Sequence, residues 1–125
     1  MTPSTEDYLE TIFRLDKGAG VRVTDVANML KVSKPSVNRA LKSLVQLGYI
    51  VQEPYQNVML TPTGREKGRE LNKKYSILRG FLIHVLGVDE QVAEQEADYM
   101  AHGMSNDTIE RIGHLIQKYS IGYKK

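Results

Sequence analysis

The segment Ser33–Leu44, SKPSVNRALKSL, places residues that can contact DNA bases at the start of a predicted helix. Ser33 is a favoured N-cap, and a proline near the first helical position needs no partner for an N–H group. Asn38 and Arg39 carry donors that match adenine and guanine edges, and Pro35 presents an apolar face to a thymine methyl group. The free N–H groups and the positive end of the helix dipole at Ser33 favour binding of a phosphate. This segment is therefore a candidate DNA-reading helix.

The apolar residues of the same segment recur at helical spacing, which indicates one face directed towards a core. They are Val37, Ala40, Leu41 and Leu44. Taken alone, the segment is also typical of an amphipathic helix whose polar side is only hydrated. The neighbouring elements have to decide between these two interpretations.

Two further helices precede this one in the sequence. Ser4 and Asp7 form a predicted capping box at the start of the first helix, and Thr24 is the predicted N-cap of a short second helix. After a tight turn, the third helix is predicted over Lys34–Leu47, with Gly48 as its C-terminal stop. Two short helices around a tight turn are typical of a helix-turn-helix, whose second helix enters the major groove.

The hydrophobic period changes to two after the third helix, as in β-strands. Tyr49–Glu53 and Val58–Thr61 are the predicted strands, and Pro54–Asn57 is the predicted turn. A hairpin in this place is a wing. We therefore expect DNA contacts from the third helix, the wing and the helix after it, namely Ser33, Lys34, Pro35, Ser36, Asn38, Arg39, Lys42, Tyr55, Gln56 and Lys67.

Three more helices are predicted in the second half of the chain. They cover Thr63–Leu86, Asp89–Ala101 and Ser105–Tyr119, with a break at Gly87 and a frayed tail. A chain of 125 residues is expected to form one cooperative unit with subregions.

The predicted fold class is mainly α, with a winged helix-turn-helix DNA-binding domain over residues 1–72 and an α-helical dimerisation domain over residues 73–125. The second domain carries more apolar side chains than a monomer of this size should expose, so we expect a homodimer. The predicted interface consists of Leu78, Phe81, Leu82, Val85, Met100, Met104, Ile109, Ile112 and Ile116.

The distribution of charge supports a DNA partner better than the total does, because a net charge of +2 is small. Between Lys31 and Lys74, nine basic residues stand against three acidic ones, and further acidic residues cluster within 6–10 and 89–98. The basic section suits an anion, whereas the acidic sections suit a cation or a network of ion pairs.

Several protein classes are excluded by composition. The absence of cysteine excludes a disulfide framework, a thiolate zinc site and a cysteine nucleophile. No apolar run approaches about 18 residues, and Met1–Asp16 is charged, so we expect a cytoplasmic protein with no membrane partner. We expect no enzyme activity, because the chain has neither a glycine-rich phosphate loop nor a nucleophile beside a patterned histidine.

Four segments resemble the diphtheria-toxin-repressor family of metal-dependent regulators. They are STEDYLETI, VTDVANMLKVSKPSVNRALKSLVQLGYI, VMLTPTGREKG and VLGVDEQVAEQEADYMAHGMS. The chain is most similar to the manganese-transport-regulator branch, because it stops before the SH3-like domain of the iron-responsive branch. The resemblance implies a homodimeric repressor of metal-homeostasis genes that binds a palindromic operator. It also implies a metal site between the first helix and the dimerisation helices.

The resemblance assigns metal ligands to two pairs of residues. Asp7 and Glu10 are three apart on the first helix, and Asp98 and His102 are four apart on the fifth, so each pair shares a helix face. Carboxylate oxygen and imidazole nitrogen suit Mn²⁺ or Fe²⁺. Asp98 stands where the family usually has glutamate or cysteine. Each residue also fits a structural role, because Asp7 can complete a cap, Glu10 can be hydrated and a single histidine is often structural.

Three positions depart from the family pattern. Tyr75 replaces a histidine and Ala101 replaces a glutamate. The phenol oxygen of Tyr75 and the carboxylate of Glu94 are possible additional ligands. Arg79 stands where the iron-responsive relatives have an acidic ligand, and we expect it to pair with Glu94 or Asp98. The expected site therefore holds one metal ion and has fewer ligands than the complete binuclear site of the family.

Two alternative functions remain compatible with the sequence. One is a winged-helix DNA-binding dimer that has lost metal control, with Arg79 neutralising the acidic cluster. The other is a protein-interaction module whose basic section is only hydrated. His84 and His114 match no ligand position and are expected to be ordinary surface or interface residues.

Overall fold

The structure, a computed structural model, describes residues 4–119. Within this range the chain forms six α-helices and a two-stranded sheet, and it divides after Asn72 into two compact units. The mainly α fold predicted from the sequence is confirmed, and the predicted tail lies outside the described residues. The elements are α1 (Thr5–Leu15), α2 (Val23–Leu30), α3 (Lys34–Gln46), β1 (Ile50–Val51), β2 (Met59–Leu60), α4 (Pro62–Gly80), α5 (Glu90–Gly103) and α6 (Asn106–Tyr119).

A side-chain cap marks the start of the first helix, whereas the second helix begins without one. The Asp7 N–H donates to Ser4 Oγ at 3.3 Å and the Ser4 N–H donates to Asp7 Oδ2 at 3.2 Å, which completes the predicted capping box of α1. The predicted N-cap of α2 is wrong, because Arg22 occupies the cap and Thr24 lies within the first turn. The preceding residue, Val21, is held extended in a β-bridge, so the chain enters α2 directly from that bridge.

One apolar core joins the helices and the hairpin of the first unit. Every element of this unit contributes to the core, so the inner side of α3 packs against the rest of the unit. The buried members are Tyr8, Leu9, Ile12, Val21, Val26, Ala27, Val37, Leu41, Leu44, Ile50, Val58 and Leu71.

The wing is a shorter hairpin than the sequence predicts. β1 and β2 pair antiparallel over two residues each, with Ile50 opposite Leu60 and Val51 opposite Met59. The turn is closed by a hydrogen bond from the Gln56 N–H to the Glu53 carbonyl oxygen at 3.0 Å, and Gln52, which lies between β1 and this turn, is exposed. Strand pairing therefore ends before the turn begins.

The long helix predicted over Thr63–Leu86 is α4 followed by a π-helical segment, Phe81–Val85. The Leu86 N–H donates to the carbonyl oxygen of Phe81 at 3.2 Å, which is the wider hydrogen bond of a π-helix. Gly87, at φ +72°, follows immediately and ends the helix as predicted.

The second unit has its own apolar core, which lies among the end of α4, the π-helical segment, α5 and α6. Its buried members are Ile77, Leu78, Leu82, Ala93, Ala97, Ile109 and Ile116. No helix in the described range 4–119 is both long and apolar enough to cross a bilayer.

Four of the nine predicted dimer-interface residues belong to this core. Leu78 and Ile116 are 0% exposed, Ile109 is 1% exposed and Leu82 is 5% exposed. The chain itself covers these side chains almost completely, so they offer little surface to a partner, and their place in a dimer interface stays a prediction. The other five are partly buried against the same core and remain candidates, namely Phe81, Val85, Met100, Met104 and Ile112.

Candidate nucleic-acid interface and metal ligands

The N-terminal half of α3 is the clearest candidate for contact with DNA. Ser33 caps the helix as predicted, because its Oγ accepts the Ser36 N–H at 3.2 Å. On the inner side of α3, Val37, Leu41 and Leu44 are at most 1% exposed. The core therefore fixes the rotation of α3 about its axis and determines which residues face outward.

The end of α3 is equally well defined. Gly48 has a φ of +82°, and the Tyr49 N–H donates to the carbonyl oxygen of Leu44 at 3.0 Å. This bond satisfies a terminal carbonyl group of the helix. Gly48 therefore stops α3 as predicted and directs the chain into the wing.

The outer side of α3 is polar and carries a short chain of hydrogen bonds. Ser36 Oγ lies 2.9 Å from Ser33 Oγ and accepts a hydrogen bond from Arg39 Nη2 at 3.2 Å. This bond holds the guanidinium near the first turn of α3. The other predicted DNA-contacting residues of this helix are exposed beside it, namely Lys34, Pro35, Asn38 and Lys42.

The two wing residues predicted to contact DNA lie at the tip of the hairpin. Tyr55 adopts a left-handed φ of +61°, and its side chain is fully exposed. Gln56 is also exposed. A planar aromatic group and an amide at a projecting tip can reach a DNA groove or backbone while the base of the hairpin stays in the core.

Lys67, on α4, is less available than the sequence suggests. Its Nζ donates to Glu70 Oε1 at 3.2 Å. This hydrogen bond raises the pKa of Lys67, although partial burial acts in the opposite direction. Lys67 therefore carries a positive charge, but a phosphate has to compete with Glu70 for it.

Asp16, in the first unit, is not among the functional residues predicted from the sequence. Its side chain is only 2% exposed, and Oδ2 accepts a hydrogen bond from Arg65 Nη2 at 2.9 Å. Oδ1 accepts the N–H groups of Gly18 at 2.9 Å and Gly20 at 3.2 Å. The only local signal is an aspartate followed closely by two glycines, which is common in turns.

The first predicted ligand pair, Asp7 and Glu10, lies on α1 as expected, and both residues already have structural partners. Asp7 Oδ2 accepts the Ser4 N–H of the capping box. Glu10 Oε2 lies 2.7 Å from Arg14 Nε and accepts a hydrogen bond from Asn72 Nδ2 at 2.8 Å. A metal ion bound to Glu10 would have to share that carboxylate with Arg14 and Asn72.

The second predicted ligand pair is brought together on α5. His102 Nε2 lies 3.6 Å from Asp98 Oδ1. The oxygen and the nitrogen are therefore close enough for both to bind one metal ion. The donor types suit a divalent transition metal ion, although an octahedral ion needs further ligands from protein or water.

The possible ligands Tyr75 and Glu94 are placed less favourably. Tyr75 is half-buried and packs against the core of the second unit. Arg79 Nη2 lies 3.6 Å from Glu94 Oε2, as predicted, and 2.8 Å from Glu90 Oε2, which the sequence did not indicate. The guanidinium therefore already compensates the charge of Glu94.

Known protein families match almost the whole chain. Residues 1–58 match the family described as iron dependent repressor, N-terminal DNA binding domain. Residues 61–121 match the family described as iron dependent repressor, metal binding and dimerisation domain. The first match contains α3 and most of the wing, and the second contains α5 with Asp98 and His102.

Two curated relatives illustrate the range of similarity. An uncharacterised HTH-type transcriptional regulator of Methanocaldococcus jannaschii is 33% identical over 95% of this chain and 97% of the relative. The HTH-type transcriptional regulator MntR of Bacillus pumilus is 37% identical over 93% of this chain and 81% of the relative.

Solved structures have the same fold. The metal-dependent transcriptional regulator MtsR superposes with a TM-score of 0.83 at 30% identity, and the manganese regulator SloR superposes with a TM-score of 0.83 at 25% identity. Each comparison covers 94% of this chain and 55% of the other, so the chain spans about half the length of these structures. The family resemblance read from the motifs is confirmed, and so is the prediction of a regulator in place of an enzyme. The chain belongs to the iron-dependent repressor family, whose members combine a DNA-binding domain with a metal-binding and dimerisation domain.

Proposed function

We propose that the chain is a metal-responsive, homodimeric repressor that binds DNA in the cytoplasm and controls metal-homeostasis genes. The observation that carries this proposal is the N-terminal half of α3. The inner residues of α3, Val37, Leu41 and Leu44, are buried in the core, while its capped first turns expose polar side chains. A helix with such a backing can enter the major groove and keep its conformation.

The reading of DNA is assigned to α3 and to the wing of each subunit. We assign a guanine contact to Arg39 and an adenine contact to Asn38, and we assign phosphate contacts to Lys34 and Lys42. Tyr55 and Gln56 contact the groove or backbone beside α3. Two subunits related by a two-fold axis then recognise a palindromic operator, with their recognition helices about 34 Å apart.

Metal control is assigned to Asp7, Glu10, Asp98 and His102, which we propose as ligands of one Mn²⁺ or Fe²⁺ ion. The support is the family membership together with the 3.6 Å approach of His102 Nε2 to Asp98 Oδ1. A bound divalent cation supplies positive charge that offsets repulsion among the carboxylates. Coupling between two ligands is typically worth about 1–3 kcal/mol and is reciprocal, so operator DNA should tighten metal binding by the same factor.

A second candidate function is a DNA-binding dimer without metal control. The observation that favours it is the double ion pair of Arg79 with Glu90 at 2.8 Å and Glu94 at 3.6 Å. A guanidinium is a permanent charge, and it stabilises these carboxylates whether or not metal is available. Under this alternative, DNA affinity is the same in the presence and absence of metal.

Electrophoretic mobility shifts on a DNA fragment selected from random sequence distinguish these functions. Wild type is measured with Mn²⁺, with Fe²⁺ under anaerobic conditions and with EDTA. His102→Ala removes a proposed ligand, and His114→Ala is the matched control because it replaces an exposed histidine of α6.

The repressor proposal requires that metal strengthens wild-type and His114→Ala binding and has little effect on His102→Ala. If wild type and His102→Ala bind equally well with metal and with EDTA, the metal-independent alternative replaces it. If wild type binds no DNA under any condition, both functions are refuted.

A further inference from the structure

The enclosed carboxylate of Asp16 organises the loop between α1 and α2. Its Oδ1 atom accepts the N–H groups of Gly18 and Gly20, and its Oδ2 atom accepts a hydrogen bond from Arg65 of α4 at 2.9 Å. Burial raises the pKa of Asp16, but the hydrogen bonds from Gly18, Arg65 and Gly20 together lower it by more. The carboxylate is therefore ionised at neutral pH and holds three donors at once.

The loop that Asp16 organises lies directly against the wing. The Asn57 side-chain amide donates to the carbonyl oxygen of Ala19 at 3.1 Å. Gly20, at φ +87°, leaves so little space that an added Cβ would lie 2.5 Å from Met59 Sδ and 2.9 Å from Asn57 Cβ. The approach of loop and wing is therefore close and depends on the conformation that Asp16 imposes.

The loop continues into a third extended segment beside the hairpin. The N–H groups of Val21 and Val58 each donate to the carbonyl oxygen of the other, at 2.9 and 2.8 Å. The hairpin needs this neighbour, because strands of two residues each are too short for a stable free-standing pair.

The base of the wing is held by separate contacts. Thr61 Oγ1 donates to the carbonyl oxygen of Gly48 at 2.7 Å and accepts the Gly64 N–H at 2.9 Å. These bonds fix where the hairpin leaves α3 and where it enters α4. They do not reach the tip, so the direction of the tip depends on the loop at the hairpin edge.

We propose that Asp16 is a positioning residue for DNA binding, which holds the loop 16–20 against the wing and so directs Tyr55 and Gln56 towards the DNA. The inference rests on the proposed function, because it presumes that the wing contacts DNA. It assigns Asp16 no contact with DNA, since the carboxylate is enclosed and would repel a phosphate. Its effect on affinity passes through the wing.

Asp16→Asn is the direct test, because asparagine keeps the size of the side chain and loses its charge. Asp107→Asn is the matched control, since it removes an Asp–Arg pair of 2.9 Å on the exposed side of α6 and changes the net charge equally. Binding is measured on the fragment selected from random DNA, with wild type alongside. Without its charge, residue 16 loses the charge-assisted hydrogen bonds that hold the loop against the wing, so DNA binding should weaken roughly tenfold. The control should change DNA binding by less than about twofold.

A double-mutant cycle separates positioning from general stability. In a Tyr55→Ala/Gln56→Ala background the wing tip has little to contribute, so Asp16→Asn should cause almost no further loss. An equal loss in both backgrounds, or no loss in the intact chain, overturns the proposal. If wild type binds no DNA, the proposed function fails with it, whereas wild-type binding with an unaffected Asp16→Asn refutes the positioning role alone.

Two further measurements guard against a variant that does not fold. Circular dichroism establishes whether Asp16→Asn is folded, and if it is not, Gly20→Ala enters the same cycle because it forces the loop from the wing without removing a charge. The chain has no tryptophan, so Tyr55→Trp is a single reporter of the wing tip. Its fluorescence anisotropy should fall when Asp16→Asn or Gly20→Ala is added, and an unchanged anisotropy overturns the proposal.

Discussion

Replacing Arg39 with alanine should remove discrimination between DNA sequences and leave the fold intact. Arg39 is exposed on α3, so we expect little change in the unfolding temperature. A bidentate arginine–guanine contact typically discriminates by about 1–3 kcal/mol. This corresponds to a loss of roughly 5- to 150-fold on the selected fragment relative to a scrambled one.

The hydrogen bond between Arg39 and Ser36 predicts a smaller loss of discrimination for a second variant, Ser36→Ala. Arg39 Nη2 lies 3.2 Å from Ser36 Oγ, so Ser36→Ala removes a brace and keeps the guanidinium. One hydrogen bond contributes about 0.5–1.5 kcal/mol net. Ser36→Ala should therefore lose discrimination in the same direction as Arg39→Ala, but by a smaller factor.

Lys42→Ala is the control for charge, because it removes one cation from the exposed side of α3. If Lys42 contacts a phosphate, its loss weakens binding to all sequences alike and lowers the salt dependence. Fluorescence anisotropy titrations on selected and scrambled DNA at several salt concentrations measure both quantities. Equal losses on the two DNAs for Arg39→Ala would refute a base-reading role and make Arg39 another phosphate contact.

Three further outcomes follow from the structure. In the folded protein the pKa of Asp16 lies below its ordinary 3.8. Its contribution to stability is therefore complete above pH 3.8 and is lost as the pH falls through the folded pKa. Asp16→Asn should flatten this part of the pH dependence of urea unfolding. Leu78→Ala should destabilise the protein by about 2–5 kcal/mol because Leu78 is fully buried, whereas Leu86→Ala, at a side chain 58% exposed, should change unfolding by less than about 1 kcal/mol. Glu70→Ala should strengthen binding to scrambled DNA by releasing Lys67, and unchanged binding at low salt would remove Lys67 from the interface.

Much of the DNA-reading element was predictable because its determinants are local. Ser33 caps α3 through a residue three positions away, and Gly48 ends it through its own backbone conformation. The inward residues Val37, Leu41 and Leu44 follow from the helical period alone. Interactions within one or two turns of helix depend on neighbours in the sequence, so their pattern can be read there.

Contacts between distant segments could not be predicted in this way. Asp16 and Arg65 are 49 residues apart, and neither residue type nor spacing indicates that they pair. Helical periodicity predicted that Leu78 and Ile116 lie on apolar helix faces, but it could not tell a core from an interface. The packing of α4, α5 and α6 buries both side chains within the chain. Likewise, Arg79 takes Glu90 as its nearer partner because α5 presents that carboxylate at 2.8 Å. The sequence by itself determined which helices form and which side of α3 is polar, because these depend on local backbone geometry. The tertiary structure decided which charges pair and which apolar residues are covered, because these depend on how separate elements meet in space.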